Sequence, residues 1–217
     1  MTPPKSLTPQ RMRLADVTEL FAGSAVPDTC LSDQGTTWLV RETDVAQWRS
    51  GNGPLYWAQA TLPEPGCLRY LEPGDVIFHP QYPRHAMLFD LPFTRFVASA
   101  PLMVCRINGT IRLRPGYVAW FLGTDQVKAA LFDMVRSKRH LQLDLDDFRN
   151  LHLPCANIDV QREIEQGWRE EMEREQSVLG LFGQMRQNID AVLMDWVQHS
   201  APVLPVRRHG VNPGVQH

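Results

Sequence analysis

The residues best suited to chemistry are basic side chains and amides, gathered in three short stretches. Gln81 and Tyr82, held between Pro80 and Pro83, are followed by Arg84 and His85. Arg106, Arg112 and Arg114 lie around a turn at 107–114. Arg136, Lys138, Arg139 and His140 end a helical pattern, so four of these five consecutive positions can carry positive charge. Arginine and lysine reach phosphates and guanine edges, and an amide can pair with adenine, so these residue types suit contact with a nucleic acid. Each stretch also has a plainer reading. Cations at 136–140 would be favoured by a helix C-terminus alone. Arg84 and His85 could be ordinary loop residues. Arg41 could pair with Glu42 or Asp44 as readily as with a base.

Enzymatic chemistry finds little support. His79, His85, His140 and His152 have no metal-ligand spacing. Ser24 and Ser99 lack a GxSxG setting, and there is no phosphate-binding glycine loop or methyltransferase-like Asn-Pro-Pro-Tyr motif. Asp144, Asp146 and Asp147 are explained more simply by capping a short helix than by a cation site. Cys30, Cys67, Cys105 and Cys155 form no CxxC pair, which argues against a zinc site or a disulfide framework. No catalytic residue, metal or cofactor is expected. The N-terminus lacks an apolar signal core and no run of about 18 apolar residues occurs, so a reduced, cytoplasmic chain with no membrane span is the expectation.

The net charge of −2 hides an uneven distribution. Residues 84–140 carry nine Lys/Arg against three Asp/Glu, a net of +6, while 157–198 carry four against nine, a net of −5. A basic segment in a slightly acidic protein is a candidate polyanion face, or else an ordinary solvated surface.

The element that must position these residues is a long helix at 157–198. Ile164, Trp168, Met172, Leu179, Phe182, Ile189, Leu193 and Trp196 recur at spacings of three, four and seven, and Val178, Met185 and Val192 widen the stripe. Asn157 or Asp159 can cap its start and Pro202 prevents continuation. About 40 residues make about 60 Å of helix, longer than a domain of this size is wide, so the stripe needs a partner surface. Trp168, Met172, Leu179, Phe182, Ile189, Leu193 and Trp196 are its candidate interface anchors. The alternative is packing on the chain's own body, Trp168 being the nearer to it.

Before the helix, prolines and glycines break the chain into short strands and turns. Met12–Leu20 reads as a short strand or a turn of helix. Thr37–Val40, Leu55–Ala60, Leu68–Leu71, Val76–Phe78, Arg84–Phe89, Phe96–Ala98, Leu102–Ile107 and Leu151–Leu153 read as strands. Glu72-Pro73-Gly74-Asp75 is a turn, and His79–Pro83 a loop. Thr43 or Asp44 starts a short turn. Helices are expected at Tyr117–Leu122, after Thr124, and at Leu145–Arg149, where Asp144 and Asp147 fit a capping box. The fold class is mixed and turn-rich α+β: a body at 11–156, one long helix at 157–198, and tails at 1–10 and 199–217 expected to be disordered.

Four stretches, in order, resemble the half-subunit pattern of type I restriction–modification specificity (S) subunits. They are Arg13-Leu-Ala-Asp-Val-Thr-Glu-Leu-Phe-Ala-Gly23, Leu71-Glu-Pro-Gly-Asp-Val-Ile-Phe78, Leu113-Arg-Pro-Gly-Tyr-Val-Ala-Trp-Phe-Leu-Gly-Thr124, and Leu151-His-Leu-Pro-Cys155 followed by Gln161-Arg-Glu-Ile164. The chain departs from that pattern at Val160, where the family usually has Glu, and at Ser137-Lys138-Arg139, where it often has a glycine-containing loop. The hairpin after Phe78 also has prolines where glycine is usual. The resemblance implies a target recognition domain with one spacer helix, which pairs antiparallel with a second half. It implies a non-catalytic subunit of a restriction–modification or related defence complex, one that reads a half-site in double-stranded DNA and docks a methyltransferase or other effector. A homodimer through the helix would then read a bipartite palindrome. Gln81, Tyr82, Arg84, His85, Arg106, Arg112, Arg114, Arg136, Lys138 and Arg139 are the expected DNA contacts. The alternative is a protein–protein scaffold of the same fold without DNA binding, which the overall acidity and the missing glycine loop favour.

Overall fold

A computed structural model describes residues 11–49, 58–62, 68–92, 95–109, 111–138 and 142–200; for 47–49, 193 and 195–200 it describes the backbone only. In chain order the elements are β1 (Arg11–Arg13), α1 (Leu14–Val17), β2 (Thr18–Ala22), β3 (Thr37–Val40), α2 (Glu42–Arg49) and β4 (Ala58–Ala60). They continue with β5 (Asp75–His79), β6 (Tyr82–Phe89), β7 (Phe96–Ala98), β8 (Met103–Ile107), α3 (Pro115–Leu122), α4 (Asp125–Ser137), α5 (Leu145–Arg149), β9 (His152–Pro154) and α6 (Ile158–Ser200). This is a mixed α+β chain ending in a long helix. It divides into two units, Met1–Gly180 and Leu181–His217.

In the first unit an antiparallel sheet of order β2-β8-β5-β6 is covered on both faces. Side chains alternate across a strand, so each strand divides its apolar residues between two cores. Val76, Phe78, Leu88, Met103 and Cys105 join α1, α3, α4 and α5 on one face. Ile77, Met87, Phe89 and Val104 join α2 and β7 on the other. All five residues of β5 are buried, as suits a central strand. Burial of the Cys105 thiol pushes its pKa up to about 12. A second sheet, β4-β3-β7, pairs β3 with β7 in parallel, and β1 pairs with β9 as a two-stranded ribbon.

Local chemistry sets the joints. Gly74 turns the chain into β5 at φ 97°, a conformation that favours glycine. The Thr124 hydroxyl accepts from the Val127 N–H at 3.4 Å to start α4. Asp144 and Asp147 form the expected capping box on α5. The Asn157 side chain accepts from the Val160 N–H at 2.9 Å, at the start of α6.

Some expectations shift. Met12–Leu20 is strand, helical turn and strand in succession. Leu68–Leu71 is irregular: the Leu71 N–H donates to the Phe96 carbonyl at 2.7 Å without a ladder around it. The short turn at 43–44 is an eight-residue helix. There the buried Asp44 carboxylate accepts from the Arg41 N–H at 2.8 Å and from the Arg41 guanidinium, so Arg41 is a structural cation. Strand β6 starts at Tyr82, which places Tyr82 and Pro83 on the strand and leaves Pro80-Gln81 as the turn. The helix reaches Ser200, two residues past its expected end. Residues 1–10, 55–57 and 201–217 lie outside the described residues.

Candidate nucleic-acid interface

Strand β6 is an edge of its sheet, and its first half is exposed before its second half enters the core. His79, buried at the end of β5, accepts the Gln81 N–H on Nδ1 at 3.2 Å and fixes the turn. Its ring lies nearly parallel to Tyr82, with centroids 5.4 Å apart, and Tyr82 to His85 at 6.3 Å. Tyr82 thus sits between two imidazoles and is itself 56% exposed.

The corner between α3 and α4 faces this strand. Gly123 packs against Arg84: a Cβ there would lie 3.6 Å from the Arg84 Cγ and 3.8 Å from its Cα, ordinary contact distances. Between the two walls lies a cleft of about 370 Å³. Gln81, Tyr82, Arg84 and His85 line one side; Asp125, Lys128 and Phe132 line the other, over a floor that includes Leu122 and Leu131. Phe132 is 61% exposed, and the Arg136 guanidinium sits 5.7 Å from its ring centroid.

The expected contacts therefore separate. Gln81, Tyr82, Arg84 and His85 come together, and Arg136 joins them through Phe132. Arg84 also lies 3.9 Å from Glu175 of α6. Arg112 is exposed elsewhere, with its carbonyl accepting from Gln161 at 3.3 Å. Arg106 turns inward: its guanidinium donates to both Asp75 oxygens at 2.9 and 2.8 Å, to Glu72 at 2.6 Å and to the Tyr70 carbonyl at 2.7 Å. Arg114 donates from Nε to the buried Glu165 carboxylate, and its N–H to Gln161 at 2.9 Å. Lys138 bridges Asp144 and Asp147, each at 2.6 Å. Those hydrogen bonds raise the lysine pKa and hold the Asp144 carboxyl below the usual carboxylate range. Arg106, Arg114 and Lys138, expected as DNA contacts, are thus engaged by carboxylates on neighbouring elements. Arg139 lies outside the described residues.

Lys128 and Phe132 were missed by the sequence reading. The available signal was spacing: Lys128, Phe132 and Arg136 are four apart on α4, off the inner stripe of Val127, Leu131, Met134 and Val135.

The start of α6 is anchored. Gln161 and Glu165 are buried, and Ile164 and Trp168 pack against the core. Glu165 also accepts from Arg169, which reaches Asp90 at 3.3 Å. Trp168 thus packs on its own body, and Met172 beside it is half-buried. Leu179 is 44% exposed. In the second unit Leu181, Phe182, Met185, Ile189, Val192 and Met194 are 55–69% exposed. The side chains of Leu193 and Trp196 lie outside the described residues. Among the described residues, no helix is long and apolar enough to cross a membrane.

No family model and no curated protein matches the sequence. Solved structures do match. The HsdS subunit from Thermoanaerobacter tengcongensis is similar over 82% of this chain and 41% of its own, with a TM-score of 0.55 and 16% identity. The chain has the fold of a type I restriction–modification specificity subunit. A chain from a structure of the assembly and conformational transition of the type I system matches 90% of this chain and 47% of its own, at TM-score 0.56 and 15% identity. The type I S subunit from M. genitalium gives 82% and 44%, at 0.52 and 10%. The chain spans less than half the length of each of these neighbours.

Proposed function

We propose that this chain supplies one half of a type I specificity framework, a non-catalytic recognition domain with its helix that reads one half-site of double-stranded DNA. One observation carries the reading: the fold likeness takes in most of this chain, yet less than half of each neighbour. The face made by Gln81, Tyr82, Arg84, His85, Lys128 and Arg136 supplies the groups such reading needs: an amide, rings and cations. The body at 11–156 is the recognition domain, and the helix at 157–198 joins it to a second copy and to a methyltransferase or other effector. The exposed apolar residues from Leu181 to Met194 are what such a joint requires. The chain works in the cytoplasm, where the DNA is.

A second reading, a scaffold of the same fold without DNA binding, is favoured by the inward pairing of Arg106, Arg114 and Lys138. Fluorescence anisotropy with random-sequence and genomic duplexes at several salt concentrations separates the two. Recognition of DNA gives binding that weakens steeply with salt. A scaffold gives no binding at the lowest salt.

A further inference from the structure

The cleft between β6 and α4 is built for more than surface charge. We propose that it holds one unstacked nucleobase, with the attached phosphate at the cationic rim formed by Arg84 and Lys128. The proposal rests on the reading of this face as a nucleic-acid surface and names what enters it.

Three observations carry it. The first is size and lining: a cleft of about 370 Å³ with an apolar floor and a few polar groups at its edge has the character of a small-ligand site. The second is the pair of rings. Tyr82 and Phe132 line opposite walls, each more than half exposed. A single exposed ring needs no explanation, but two across one cleft offer a planar group something to stack on from either wall. Tyr82 is held in place beside His79 and His85, and Phe132 beside Arg136, so neither ring must be ordered from scratch on binding. The third is the polar set. Gln81 offers an amide and Asp125 a carboxylate at the cleft, a donor–acceptor pair and an acceptor suited to the edge of a base. A peptide side chain would use the apolar floor but not the cations and amide together. A base inside a duplex is stacked on both faces, so only an extrahelical base, or the base of a free nucleotide, can use these walls.

The test uses the full chain and two probes: the four deoxynucleoside 5′-monophosphates, and a duplex carrying one unpaired base beside its fully paired counterpart. Phe132→Ala, at an exposed ring, is the diagnostic variant, with circular dichroism to confirm that it folds. The expected result is binding of at least one monophosphate, weakened about fivefold or more by Phe132→Ala. A preference for the duplex with the unpaired base, lost in that variant, identifies DNA as the source. Monophosphate binding without that preference identifies a free nucleotide and equally supports the cleft. Neither monophosphate binding nor that preference, or effects indifferent to Phe132→Ala, overturns the proposal. Inorganic phosphate binding as tightly as the monophosphates also overturns it, because it shows an anion site without a base site. Duplex binding that survives such a negative result leaves the DNA reading intact. Monophosphate binding without any duplex binding breaks the DNA reading while the cleft stands.

Discussion

The same residue types serve opposite ends in two parts of this molecule. Around β8 and the start of α6, Arg106, Arg114 and Trp168 turn inward, the arginines onto Asp75 and Glu165 and the tryptophan onto the core. Around the cleft, Arg84, Lys128, Arg136 and Phe132 are exposed. All of these cations come from one basic segment, so charge along the sequence does not separate them. What does is the presence of a buried carboxylate within reach. Asp75 and Glu165 are nearly inaccessible, and a carboxylate in such a place requires a cation. At the cleft Arg84, Lys128 and Arg136 keep exposed side chains, although Arg84 also lies 3.9 Å from Glu175.

That contrast can be broken most sharply at Arg106. Arg106→Ala strands the Asp75 carboxylate in the sheet and should cost about 3–5 kcal/mol in urea unfolding. A loss below about 1 kcal/mol would show that the inward set is not structural. Gly116→Ala comes next. Alanine ordinarily improves a helix, but here its Cβ would collide with the Glu165 side chain that holds Arg114 and Arg169. Destabilisation of about 1–3 kcal/mol is expected, and a gain in stability would contradict the tight seat of α6. The apolar counterpart of the contrast lies on the helix. Phe182→Glu with Ile189→Glu should leave folding unchanged but halve the mass in sedimentation equilibrium; an unchanged mass rules these residues out as the seam.

The smallest effect is a pH dependence. The Asp144 pKa is lowered by its hydrogen bond from Lys138, so its contribution to stability is present above the ordinary carboxylate range and is lost as pH falls through the lowered value. The Lys138 pKa is raised, so its contribution is present below the ordinary lysine range and is lost only as pH rises through the raised value. Lys138→Met should therefore lower the melting temperature near neutrality, and the gap from wild type should close on acidification. A gap that persists in acid would remove the bridge between α4 and α5 as its cause.

Much of the fold was legible because it is written locally. The apolar run of β5, the alternation in β8, the capping box on α5 and the uninterrupted period of α6 each need only a few neighbouring residues. Pairings that join distant segments were not legible. Arg106 meets Asp75 and Glu72 across more than thirty residues, and nothing in the spacing of either announces it. The parallel match of β3 with β7 is equally non-local. The eight-residue α2 was underestimated because its start depends on Asp44 capturing Arg41. At the candidate site, proline-bounded Gln81-Tyr82 and neighbouring Arg84-His85 were visible as a unit. The opposite wall was not, because Phe132 reads as an ordinary apolar residue until the inner stripe of α4 is set aside.

The salt dependence of duplex affinity in the triple variant Arg84→Ala, Lys128→Ala, Arg136→Ala tests the outward face most directly. If these cations meet phosphates, affinity at low salt should fall well over tenfold, and the slope of log affinity against log salt should shrink by about 3. Stability should change little. An unchanged slope and affinity in a folded triple variant would show that DNA, if bound at all, is held elsewhere.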